Sequence, residues 1–88
     1  MKIKSGFIVR SVGGNRMVVA TGERSRQFGG MIRLNESGSF LWNCLLKDAD
    51  TATLINSLLE EYDVDEVTAK ADVEVFLNTL RAAGVLDE

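Results

Sequence analysis

The chain changes character at a single boundary, Asn35–Glu36, where hydrophobic periodicity and charge change together. Before it, apolar residues come in short β-branched and aromatic runs separated by glycines; after it, they recur at three- and four-residue spacing. The first pattern suits strands and the second suits helices, so the fold is expected to be α+β, a sheet followed by helices. Through Asn35 there are seven basic residues (Lys2, Lys4, Arg10, Arg16, Arg24, Arg26, Arg33) and one acid, Glu23. From Glu36 onward, Lys47, Lys70 and Arg81 accompany twelve acids, so the net charge of −3 conceals parts of about +6 and −9. No linker-like stretch, low-complexity segment or internal repeat separates the parts, and residues 1–88 are expected to form one domain.

Composition then narrows the function classes. A chain of 88 residues buries roughly 64% of its unfolded surface, enough for one core but not for a large enclosed substrate cavity. There is no histidine, which removes the commonest general base and metal ligand. One cysteine excludes an internal disulfide and the usual intrachain zinc or iron–sulfur ligand sets, and fits a reducing compartment. No phosphate-binding or EF-hand loop motif occurs. No stretch approaches the ~20 apolar residues of a membrane span, and Met1-Lys2-Ile3-Lys4 leads into no signal-peptide core. The expectation is a cytoplasmic protein, not an enzyme, with no metal or cofactor of its own.

Within the first part, Phe7–Val12 and Arg16–Thr21 read as two strands joined at Gly13-Gly14-Asn15, residues that tolerate the positive φ of a hairpin turn. The polar loop Gly22–Gly30 precedes a short third strand, Met31–Leu34. Alternation puts Ile32 and Leu34 on one face, assigned to the core, and Met31 and Arg33 on the other. In the second part, Asn35 is a suitable N-cap for a helix burying Phe40, Leu41, Cys44 and Leu45, with Trp42 and Leu46 widening the stripe. Asp50 or Thr51 caps a second helix with Leu54, Ile55, Leu58, Leu59 and Tyr62 on its apolar face. Asp63 and Glu66 form a capping-box pattern for a third helix, with Tyr62 and Val67 as a hydrophobic staple. Val73, Phe76, Leu77 and Leu80 are its buried stripe, and Gly84 ends it, letting Val85 and Leu86 fold back onto the core. Strands over about 7–34 and helices over about 36–83 suggest a winged helix-turn-helix-like domain.

Several candidate sites reduce to structural roles. Cys44 sits in an apolar helical stripe without a nearby base, so it reads as a small hydrophobe. The Glu60–Glu66 acids suit a solvated turn at the positive end of the third helix. A winged-helix reading helix with seven acids and one lysine from Glu60 to Phe76 would meet nucleic acid phosphates with like charge. The third strand is different. It is short and follows Phe28-Gly29-Gly30, and an open strand edge can take an extended peptide through main-chain hydrogen bonds. Asp72, Val75 and Thr79 lie beside the buried stripe of the third helix, and Val75 is an apolar residue the core does not obviously need. On pattern alone, a merely short edge with Val75 packed on the sheet remains an equal alternative.

The segment from Met31 to Trp42, Met-Ile-Arg-Leu-Asn-Glu-Ser-Gly-Ser-Phe-Leu-Trp, resembles the PqqD-like family signature: a strand ending in Leu-Asn, then Glu-Ser/Thr-Gly/Ala and an aliphatic–Trp pair. The order of the remaining elements agrees, through Leu58-Leu59-Glu60-Glu61-Tyr62-Asp63-Val64, Asp72-Val73, Phe76-Leu77, Leu80, Gly84 and Leu86. The resemblance implies a recognition element for ribosomally made, post-translationally modified peptides. Such domains are non-catalytic chaperones that bind a precursor's leader as an added strand. They present the core part to a modifying enzyme, often a radical S-adenosylmethionine enzyme. Mapped by position, the implied peptide-binding residues are Phe28, Gly29, Gly30, Met31, Ile32, Arg33 and Leu34 on the edge, with Asp72, Val75, Phe76 and Thr79 on the helix. Arg33, with Arg24 or Arg26, would attract an acidic leader. The chain has no proline and no tryptophan near its end, unlike family members serving the quinone pathway, which favours a relative attached to another peptide product. A winged-helix nucleic-acid binder and a module that pairs with itself through the same edge, as a homodimer, are the alternatives.

Overall fold

The structure is a computed structural model and describes residues 1–22 and 32–88. Five strands and three helices follow one another as β1 (Lys2–Ile3), β2 (Phe7–Val12), β3 (Asn15–Ala20), β4 (Ile32–Leu34), α1 (Glu36–Cys44), α2 (Thr51–Glu61), α3 (Glu66–Ala83) and β5 (Leu86–Asp87). The expected three-stranded antiparallel sheet, order β2-β3-β4, precedes the three helices. Gly13 and Gly14, both at positive φ (57° and 82°), close the β2–β3 hairpin as a two-residue turn between Val12 and Asn15. A side chain at either position would strain that turn.

One face of the sheet meets the helices. Val18, paired with Val9 and Ile32, is wholly buried, and Leu34 lies beside it in the core. From the helices come Leu41, Trp42 and Leu45, then Leu54 and Leu58, then Ala69, Val73, Phe76, Leu77 and Leu80. Ile32, Phe40, Cys44, Ile55, Leu59 and Tyr62 pack half-buried around them, so Cys44 takes the hydrophobe's place expected for it. Burying a side chain of this size contributes about 1.5–3 kcal/mol, so the seam between sheet and helices holds the domain together.

The first two helices start where expected. The Asn35 side-chain oxygen accepts the Gly38 N–H at 2.7 Å, and Asp50 accepts the Thr53 N–H at 2.8 Å. The third does not: its N-cap is Asp65, which accepts the Thr68 N–H at 2.7 Å, and not Asp63. Tyr62, in extended conformation, is the C-cap of α2, so the chain is still leaving that helix at Asp63. The staple also differs. Val64 packs against the core where α3 begins and Ala69 is buried one turn on, whereas Val67 is 79% exposed. Leu46 is a second correction, being 61% exposed because α1 ends at Cys44 and its helical spacing does not continue.

Gly84, at φ 73°, stops α3 and sends the chain back as expected, with Val85 and Leu86 both buried. The outcome is a strand pair that sequence periodicity did not suggest. β5 pairs antiparallel with β1, Lys2 against Asp87 and Ile3 against Leu86. Ile3 also donates its N–H to the Leu45 carbonyl at 3.0 Å, tying the end of α1 to the exit of α3.

Candidate functional site

β4 is the last strand of its sheet among the described residues, and its register decides which of its peptide groups are free. A two-residue turn closes on a hydrogen-bonded pair, Val12 with Asn15, and bonded pairs then recur at every second position of an antiparallel ladder. The Thr21 N–H donating to the Gly6 carbonyl at 2.8 Å continues that series. Asn15, Met17 and Val19 therefore turn their peptide groups toward β2, and Arg16 and Val18 turn theirs toward β4. Those two face Leu34 and Ile32, which leaves Met17 and Arg33 as the non-bonded pair. Both the N–H and the C=O of Arg33 consequently point away from the sheet, along its outer edge.

Beside that edge lies an open cleft of about 850 Å3. Its first wall is β4 itself, and its second is α3, through Asp72, Val75, Phe76 and Thr79. All seven candidate site residues that the structure describes, Ile32, Arg33, Leu34, Asp72, Val75, Phe76 and Thr79, line this one space. The other four, Phe28, Gly29, Gly30 and Met31, lie outside the described residues, as do Arg24 and Arg26. Val75 does not pack on the sheet: it is 67% exposed, while Phe76 next to it is buried. The hydroxyl of Thr79 donates to the Val75 carbonyl at 2.9 Å, so toward the cleft it offers acceptor lone pairs.

The third wall carries no distinct signal in the sequence. It is the start of α1 with the end of α2, where Phe40 and Tyr62 meet edge to face, ring centroids 5.6 Å apart. Both belong to apolar stripes, and Phe40 reaches the cleft because α1 begins immediately after β4. Gly38 permits that closeness. A Cβ there would stand 3.0 Å from the Asn35 side-chain oxygen and 3.5 Å from Leu34, disturbing the helix cap. Loss of surrounding water, aided by the carboxylates of Glu36 and Glu61, holds the Tyr62 phenol above its usual range. The Ser39 hydroxyl, also on this wall, is covered and has no partner among the described residues.

Chemically the site offers the outward-facing peptide group of Arg33, without a partner among the described residues, an apolar trough and a mixed-charge rim of Arg16, Arg33, Glu36 and Asp72. No group of three or more metal-ligating side chains occurs among the described residues. No helix among them is long and apolar enough to cross a membrane.

Fold and cleft together define a class: a small α+β domain whose sheet ends in an open edge alongside a helix. The family model described as Coenzyme PQQ synthesis protein D (PqqD) matches residues 11–86, nearly the whole chain, and the chain belongs to that family. Two solved structures share the fold. One is described as "TbiB1 in Complex with the TbiA(beta) Leader Peptide", with a TM-score of 0.76 and 23% identity over 99% of this chain and 95% of that one. The other, "Lasso peptide synthetase B1 complexed with the leader peptide", has a TM-score of 0.72 and 19% identity over 96% and 93%. No curated protein sequence matches.

Proposed function

We propose that this protein binds the leader segment of a ribosomally made precursor peptide and presents it to a modifying enzyme, without performing chemistry itself. The observation that carries the reading is the outward-facing peptide group of Arg33 at the end of the sheet, flanked by the cleft. An extended peptide laid there gains main-chain hydrogen bonds from β4 and places every second side chain against Ile32, Val75 and Phe76. Membership of the PqqD family supports the reading, and so do the two solved relatives, each described with a leader peptide bound. The lack of histidine and the single cysteine argue for a binding role, the chemistry falling to a partner of the radical S-adenosylmethionine type that the family resemblance implies.

Nucleic acid fits less well. The exposed side of α3 carries Glu66, Asp72 and Glu74, which would repel phosphates.

The direct test titrates candidate leader peptides into labelled protein. Shifts are expected to cluster at Ile32–Leu34 and Asp72–Thr79. Val75→Glu, at an exposed position, is expected to change stability by no more than about 0.5 kcal/mol while weakening the peptide by more than about fivefold. Unchanged affinity in that variant would remove α3 from the site.

A further inference from the structure

Side chains alternate across a sheet, and any strand added to β4 must follow the same alternation, whichever way it runs. The residue seated opposite Arg33 shares the face of Arg33, and its two neighbours share the face of Ile32 and Leu34. The two faces differ sharply. Ile32 and Leu34 point toward the helices, so the neighbours enter the cleft against Val75 and Phe76. The central residue lands on the outer face instead, at the end of a cross-strand row that runs Arg10, Met17, Arg33.

That row is cationic without compensation from its own sheet. β2, β3 and β4 contain Arg10, Arg16 and Arg33 and no aspartate or glutamate. Arg10 and Arg33 are exposed, and no ion pair holds either among the described residues. A guanidinium directly across from a carboxylate on neighbouring strands is a favourable pair, and one across from another cation is unfavourable.

Resting on the leader-binding reading, we infer that the protein selects an apolar–acidic–apolar triplet in its peptide. The acidic residue sits opposite Arg33 on the outer face, and the two apolar residues sit in the cleft. The apolar pair supplies the larger share of affinity, and the acid sets the register. A slip by one residue would drive the acid into the trough and an apolar residue out beside Arg33. Replacing the acid by its amide weakens binding by about 1.4- to 5-fold, the range of a cross-strand charge pair.

The test selects binders from a random-sequence peptide display library on the wild-type protein, on Arg33→Glu and on Arg33→Pro. Wild type is expected to enrich apolar–acidic–apolar triplets. Arg33→Glu, at an exposed position, is expected to keep the apolar pair and move the central residue to lysine or arginine. Arg33→Pro is expected to enrich neither. Triplets whose central residue ignores the charge at position 33, yet are lost in Arg33→Pro, overturn the selection rule and leave strand addition standing. Binders that survive Arg33→Pro, or no enrichment on the wild type, count against strand addition itself.

Discussion

Asn35 belongs to the fold and the site at once. Its side chain caps α1 through the Gly38 N–H, its carbonyl accepts the Ser39 N–H, and it follows the last residue of β4. Asn35→Ala is expected to cost about 1 kcal/mol, measured by denaturant unfolding, and to loosen the cleft wall at Phe40. The other two caps are carboxylates and add a pH dependence. Hydrogen bonds from Thr53 hold the Asp50 carboxyl below its ordinary value of 3.8, and those from Thr68 do the same for Asp65. A depressed folded-state value means the contribution is fully present above the unfolded value and is lost as pH falls through the folded one. Stability is therefore expected to fall below about pH 4, and less steeply in the Asp50→Asn/Asp65→Asn double variant. Equal acid sensitivity in that variant would remove the caps as its source.

At the scale of elements, β4 does two jobs on alternate residues. Ile32 and Leu34 bond to β3 and face the core; Arg33 faces outward in backbone and side chain alike. Proline separates the two jobs because it deletes one N–H at a time. Arg33→Pro is expected to leave the melting transition nearly in place while abolishing peptide binding. Ile32→Pro is expected to destabilise the sheet by breaking the bond to Val18. A larger melting loss in Arg33→Pro than in Ile32→Pro would mean the alternation is assigned the wrong way round. Much of this was legible from sequence: the Gly13-Gly14 hairpin, the Asn35 cap, a cap for α2 at Asp50 or Thr51, and Gly84 as the stop of α3 each follow from local chemistry. Asp63 and Asp65 both suit a cap in Asp-Val-Asp-Glu, and only the packing of Val64 decides for Asp65. The β1–β5 pair was invisible because two-residue strands carry no periodicity. The outward turn of Arg33 needs the register of three strands, which no window of sequence contains.

For the whole molecule, the charge boundary at Asn35–Glu36 becomes spatial among the described residues: Arg10, Arg16 and Arg33 lie in the sheet, and Glu36, Glu60, Glu61, Glu66, Asp72 and Glu74 on the helices. An acidic peptide would be guided to the sheet side and repelled from the exposed side of α3. Replacing Arg10, Arg16 and Arg33 together by Gln is expected to slow association with an acidic leader and flatten its dependence on salt, as read by stopped-flow binding. An unaltered salt slope would place the steering elsewhere. All of this depends on the edge of β4 being open to a foreign backbone, and amide hydrogen exchange of the free protein reads that directly. The Arg33 N–H is expected to exchange fast while the N–H groups of Ile32 and Leu34, bonded to β3, are protected. Protection at Arg33 equal to that of its two neighbours would mean the edge is already paired, and would contradict the proposed mode of binding.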